Sequence, residues 1–191
     1  MEKVEINKNM KLSEHFTLGE MCKTKHVTAD GNIPSRVVIE NLIRVCGWLE
    51  ELRVLAGVRP QSKVCAGVRP QSKVAGDCTL APDPGAALDP GAAPSARKEV
   101  PIVINSGYRS PEVNRLAGGA ANSNHLSGCA VDIRCVGKEQ MIRYASILLD
   151  IADGSKQEYD ELLLEQHGSV CWLHFAVRPK ENRRIIRFLR V

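Results

Sequence analysis

The chain has 191 residues, 43% of them hydrophobic, 25% charged and 4% aromatic. That is the profile of one domain, or of a domain with a loose segment, and it is too short for two large ones. The formal charge is +4, from 26 Lys and Arg against 22 Asp and Glu, and residues 178–191 alone hold six basic side chains and one Glu. So small an excess gives no reason to expect a nucleic-acid partner. No apolar run reaches the ~18 to 20 residues of a membrane helix, and Met1 to Met10 lacks the apolar centre of a secretory signal. The expectation is synthesis in the cytoplasm, no membrane partner and a monomer. Seven cysteines, an odd number without a C-x-x-C pair, argue against a disulfide framework and for reduced, buried thiols.

In chain order, the first long element is a helix over residues 35–55. Val38, Leu42, Val45, Cys46, Leu49 and Leu52 recur at spacings of three and four, with Ser35 as N-cap and Gly57 as the stop. Residues 57–99 read differently: AGVRPQSKV occurs at 56–64 and again at 66–74, and DPGAA at 83–87 and 89–93. Short periods rich in Pro, Gly and Ala bury little, so this stretch is expected to be a flexible insertion within a single domain. Pro101 to Asn105 is a β-branched run of strand type. Ser110-Pro111-Glu112 starts a short helix that Gly118 and Gly119 end. A polar loop, Ala120 to Gly128, leads to a strand over Cys129 to Cys135 and an amphipathic helix over Lys138 to Ile151. Tyr159 to Glu165 and Val170 to Val177 then form a hairpin across a four-residue turn. Glu181 to Leu189 closes the chain as a helix with one arginine-rich, solvated face. The pattern predicts an α+β fold with a central, mostly antiparallel sheet and flanking helices.

His125, Asp132 and His174 are the residue types that hold a catalytic Zn2+ while leaving a position for water. Bonds of ~2.0 to 2.2 Å require the donor atoms to converge within about 4 Å, yet seven residues span ~10 Å as helix and ~23 Å as strand. A chain reversal between His125 and Asp132 is therefore obligatory, and Ser127-Gly128 can supply it. His174 shares one face of the last hairpin strand with Trp172 and Ala176. Trp48 and Trp172 read as packing residues. His15 and Phe16 read as an arm packed on the domain, and His167 as a solvated turn residue.

The words around these residues are specific. Ile104-Asn105-Ser106-Gly107-Tyr108-Arg109-Ser110-Pro111, then Ser123-Asn124-His125-Leu126-Ser127-Gly128-Cys129-Ala130-Val131-Asp132, and finally Trp172-Leu173-His174, resemble the zinc D-Ala-D-Ala carboxypeptidase family of peptidoglycan peptidases. Leu12 to Met21 and Tyr159 to Glu165 are similar to segments of its small bacterial and phage members. The resemblance implies a Hedgehog/DD-peptidase fold, His125, Asp132 and His174 as zinc ligands, and Arg109 near the scissile bond. Tyr108 and Ser123 would join Arg109 in contacting substrate. The implied activity is hydrolysis of an amide bond in the peptidoglycan stem peptide, as a D,D-carboxypeptidase or an endopeptidase, acting on the wall after release from the cell. Bound zinc would activate water and polarise the carbonyl.

The general base departs from the family pattern. Many relatives carry an acid three residues before the last histidine, where this chain has Cys171. If Glu165 pairs with Val170, Glu161 lies opposite His174, and both Glu161 and Glu165 share its face. Glu165 matches the acid that ends this strand in the small relatives and is preferred. Cys171 and the insertion also motivate a second reading, a non-catalytic wall-binding or structural module on the same fold.

Overall fold

The computed structural model describes residues 7–58 and 100–191; the repeats at 59–99 lie outside the described residues. Val100 donates to the Arg53 carbonyl (3.5 Å), so the two described stretches meet near the end of the long helix. A short helix α1 (Leu18–Met21) precedes that helix, α2 (Arg36–Val58). Strand β1 (Ile104–Ser106), helix α3 (Pro111–Leu116) and a 3-10 turn (Asn124–Ser127) follow. Then come β2 (Ala130–Cys135), α4 (Gly137–Ser155), β3 (Glu161–His167), β4 (Val170–Ala176) and β5 (Ile185–Arg190). The fold is α+β, as expected. Its five strands form one sheet in the order β1-β2-β4-β3-β5, antiparallel except for the parallel pair β3 and β5. No described helix is long and apolar enough to cross a membrane.

Strand alternation divides the sheet into two chemically different faces. Val131, Ile133, Leu162, Leu164, Cys171, Leu173 and Phe175 are buried on one face beneath α2 and α4. Trp48 of α2 meets Phe175 with ring centroids 5.2 Å apart. Fully burying side chains of this size stabilises the fold by roughly 1.5 to 3 kcal/mol each. The opposite face carries Asp132, Glu161, Leu163, Glu165, Trp172 and His174, and it is open. Of the five described cysteines, all free thiols, four are buried, and burial pushes the thiols of Cys46 and Cys135 up to about 12. Cys65 and Cys78 lie outside the described residues.

Three expectations need correction, and a fourth needs trimming. The run 181–189 is a strand, not a helix: Glu181 and Arg184 adopt φ of 59° and 51°, which interrupts any helix, and Ile185–Arg190 pairs in parallel with β3. Pairing satisfies an edge of β3 that a surface helix would leave bare. The arginines of this tail are not simply solvated either. Arg183 forks onto Asp160 (2.8 and 2.7 Å) and reaches Glu161 (2.7 Å). Arg184 bonds Asp153 (2.8 Å) and lies 5.3 Å over the Tyr159 ring. The hairpin turn is tighter than four residues, because His167 pairs with Val170, so Glu161 stands opposite Ala176 and Leu163 opposite His174. A slip of two residues preserves the face of every side chain. The strand expected over 101–105 begins only at Ile104, although Val103 still accepts from the Arg134 amide (2.9 Å). His15 and Phe16 pack as expected: Phe16 is buried, and His15 Nδ1 lies 2.8 Å from Glu50.

Asp160 is completely buried, and Arg183 is its principal counter-charge, with Asn124 and the more distant Arg178 (3.8 Å) in support. Burial alone would raise the carboxyl pKa, but the arginine and amide contacts hold it below the usual carboxylate range. Removing one partner of a buried pair strands the other. Arg183→Ala is expected to cost about 1 to 3 kcal/mol at neutral pH, the low side of the range for buried pairs because Arg183 itself is half exposed. A depressed folded pKa stabilises above the unfolded value of ~3.9 and is lost as pH falls through the lower folded value. Denaturant titrations should therefore show the gap between wild type and variant closing below about pH 4.

Candidate metal centre

His125 is presented by the 3-10 turn. Ser123 caps that turn, its Oγ accepting from the His125 amide (3.3 Å), and Gly128 ends it at φ 70°. A Cβ on Gly128 would stand 2.8 Å from both Val38 Cγ1 and the Val38 carbonyl. Only glycine therefore allows the reversal to press against α2 while the chain turns into β2. Asp132 on β2 and His174 on β4 are direct cross-strand partners. Their side chains project from the open face into the space the turn encloses.

The three donors converge. His125 Nε2 lies 3.2 Å from Asp132 Oδ1 and 3.2 Å from His174 Nδ1, and Asp132 Oδ1 lies 3.0 Å from His174 Nδ1. Tetrahedral bonds of about 2.05 Å separate neighbouring donors by about 3.3 Å, so the triangle fits a zinc ion closely. All three residues are buried, and they form a group able to hold a metal ion. The far ring nitrogens are occupied as well. His125 Nδ1 lies 2.6 Å from the Gly107 carbonyl, which can only accept, so Nδ1 carries the proton and Nε2 keeps its lone pair. His174 Nε2 faces Glu161 Oε2 at 3.6 Å, the arrangement that turns Nδ1 towards the metal position.

Electrostatics follow from this crowding. Burial opposes the charge on Asp132, but His125 and His174 outweigh it and hold the carboxyl well below its usual range. Burial also opposes charge on His174, yet Asp132 and Glu161 push its pKa up to about 9, whereas His125, more deeply enclosed, is lowered by burial. The second oxygen of Asp132 pairs with Arg109 Nη2, and Arg109 Nε donates to Ser106 Oγ at 2.8 Å.

These groups form the floor of a cleft of about 810 Å³, and Glu161, Glu165, His167 and Trp172 continue its lining. Arg109 and Ser123 both line it. Tyr108 does not: it is 7% exposed, belongs to the core cluster, and is kept there by its amide bond to the Met21 carbonyl (2.7 Å). Its neighbour Gly107 admits that approach, since a Cβ there would lie 2.4 Å from the same carbonyl. Cys171 faces the core, away from the cleft, by strand alternation. The two glutamates differ. Glu161 is held below its usual range, chiefly by its contact with His174, and also bonds Asn124 (2.9 Å) and Arg183. Glu165, opposite Trp172, is raised by burial. Trp172, read from the sequence as packing, is half-buried in the cleft wall. Sequence reasoning missed Gly107, Asn124, Asp160 and Arg183 as supports of the site. Asn124 Nδ2 alone bridges Asp160 (2.8 Å) and Glu161 (2.9 Å), and its place directly before His125 was the available signal.

Residues 91–157 match the model of the family described as Peptidase M15. The match runs from β1 through α4 and includes His125 and Asp132. It supports an M15-type zinc peptidase, a metallopeptidase family whose metal requirement agrees with the His-Asp-His group. No curated protein matches the chain.

His125→Ala should abolish stoichiometric zinc retention on dialysis, read by metal analysis. Glu161→Gln should keep the ligands but weaken zinc binding about 10- to 100-fold in competition with a chromophoric chelator, the usual cost of losing a carboxylate behind a histidine ligand.

Proposed function

We propose that this M15-type peptidase hydrolyses an amide bond of the peptidoglycan stem peptide, on a fold of the Hedgehog/DD-peptidase kind. The convergence of His125 Nε2, Asp132 Oδ1 and His174 Nδ1 within a buried triangle at the floor of an open cleft carries the reading. The segments resembling the peptidoglycan peptidases point to the substrate.

Bound zinc supplies a Lewis acid that polarises the scissile carbonyl and lowers the pKa of water towards ~7. The chain's own residues do the rest. Asp132, charged and clamped by Arg109, keeps one oxygen for the metal position. Gly107 and Glu161 fix the orientation of the two imidazoles. Glu165 takes the proton from the attacking water on a carboxylate oxygen and returns it to the leaving amine. Its burial-raised pKa suits this exchange, because a base works best when its pKa approaches the operating pH. A carboxylate in the cleft wall supplies what Cys171 does not, which favours a catalyst over a wall-binding module.

A digest of purified peptidoglycan by the zinc-loaded protein should release new amino and carboxyl termini detectable by mass spectrometry, and a chelator should stop it. Intact peptidoglycan after digestion by a zinc-replete sample would sink the reading. Glu165→Gln should lower kcat by about 10²- to 10⁴-fold while zinc content stays at one per chain. In the wild type, kcat should fall as pH drops through a base pKa above the ordinary Glu value of ~4.3, because burial shifts that limb upward.

A further inference from the structure

The sheet has two margins, β1 and β5, and they are built differently. The β1 margin is blunt: it is three residues long, and its register with β2 shifts between Ile104 and Ser106. Short, irregular edges resist further pairing. The β5 margin is six residues long, and every residue from Ile185 to Arg190 is in unbroken register with β3. Ile185 donates to the Asp160 carbonyl (2.9 Å) and Val191 to the Gln166 carbonyl (3.1 Å). Backbone groups of successive strand residues turn to opposite sides, so the odd-numbered residues serve β3 while Ile186, Phe188 and Arg190 turn their N–H and C=O groups outward. No strand lies beyond them among the described residues.

The same edge carries apolar surface. Ile186 and Phe188 stand beside Leu162 and Leu164 of β3, the leucines of the face that α4 covers, so both project on the α4 side. The helix does not reach them. Phe188 is 74% exposed, Ile186 45% and Ile142 of α4 54%, and Phe188 and Ile142 border a hollow of about 400 Å³ between strand and helix. A long, regular edge with an apolar strip along it is a template for another strand. Charged side chains are the usual guard of such an edge, and here Arg184, Arg187 and Arg190 recur at every third position. Their spacing decides which partner fits.

We propose that the outer edge of β5 pairs with the same edge of a second copy of this chain, antiparallel about a two-fold axis at Phe188, joining two five-stranded sheets into one of ten strands. A two-fold axis perpendicular to the sheet sets one residue opposite itself. Centred on Arg187, it would oppose Arg187 to Arg187 and Arg184 to Arg190. Centred on Phe188, it sets Phe188 against Phe188, Ile186 against Arg190, Arg187 against Leu189 and Ile185 against Val191, with no arginine opposite another. Moving the axis to Ile186 or Leu189 shortens the overlap. Like charges directly opposite destabilise a strand pair, whereas an aromatic pair and arginine stems laid over aliphatic side chains stabilise it. Backbone chemistry agrees with this register, because Phe188 meets Phe188 and Ile186 meets Arg190 through their outward groups, and each such pair exchanges two hydrogen bonds. Opposed residues share a face. The two α4 helices therefore lie on one side of the joined sheet, and both metal-site clefts open on the other.

Sedimentation equilibrium of the full chain with zinc, from about 1 to 100 µM, tests the pairing over the range of weak to moderate self-association. A species of twice the 21.0 kDa chain mass is expected to grow in with concentration. Phe188→Lys, folded by circular dichroism, should weaken that association about tenfold or more, because two ammonium groups then meet at the axis. The register has its own readout. Oxidised glutathione should join Phe188→Cys to its own copy through residue 188, found by mass spectrometry, since residues opposite each other lie within about 5.5 Å between Cα atoms, inside disulfide reach. Arg187→Cys should give no such product. A chain that stays monomeric throughout, or a dimer that Phe188→Lys leaves intact, overturns the proposal. Slow amide exchange at Ile186 and Phe188 in a monomer would overturn it too, because another part of the chain would then cover the edge.

Discussion

Asp132 bears a full negative charge while 8% exposed, and the cost of that charge shapes everything around it. An isolated buried carboxylate would take up a proton. Asp132 instead meets Arg109 on one oxygen and two imidazoles on the other. Each partner comes from a different part of the chain: the turn after β1, the 3-10 turn, and β4. The carboxylate is therefore the point at which these pieces must agree in position, and a divalent cation placed among the same donors would relieve the crowding of charge that now raises His174.

Support for this point extends outward through polar groups, not through apolar packing alone. Gly107 fixes one imidazole from the β1 side. Glu161 faces the other, and is itself held by Asn124 and Arg183. Asp160, one residue earlier and fully enclosed, is gripped by the same asparagine and arginine. The last strand thus does more than close the sheet. By bringing Arg183 beside β3, it offsets the charge of two adjacent carboxylates that would otherwise repel each other beside His174.

Much of this was legible in the residues. The need for a reversal at Gly128, the two-faced hairpin and the helices α2 and α4 follow from periodicity and spacing, whereas singling out His125, Asp132 and His174 as the three donors rests on the resemblance to the zinc peptidases. The terminal strand was not, because Ile185, Ile186 and Leu189 satisfy a helical spacing as well as a strand, and only the bare edge of β3 decides between them. The hairpin register erred by two residues because turn length sets register and Gly168 permits a tighter turn at φ 58°. Tyr108, expected to contact substrate, lies outside the cleft lining, because a residue between two site residues in sequence can face the other way in space. The supporting shell was invisible for a deeper reason: Asn124 and Arg183 are 59 positions apart and gain meaning only where β3 and β5 bring them to the same pair of acids.

The two glutamates of β3 show how the fold converts equal chemistry into unequal roles. Four residues apart on one strand, Glu161 and Glu165 project to the same face, and both line the cleft. Glu161 sits among a histidine, an asparagine and an arginine that favour its charge, so its pKa falls and it remains a fixed anion. Glu165 lies farther along, where burial beside Trp172 outweighs the pull of His174 and Arg109, so its pKa rises. Neighbouring carboxylates whose environments drive their pKa values apart are suited to different tasks, one to holding charge and the other, as proposed above, to moving protons. In this sheet the difference is made chiefly by His174, which Glu161 faces at 3.6 Å, with Asn124 and Arg183 in support, whereas burial prevails at Glu165.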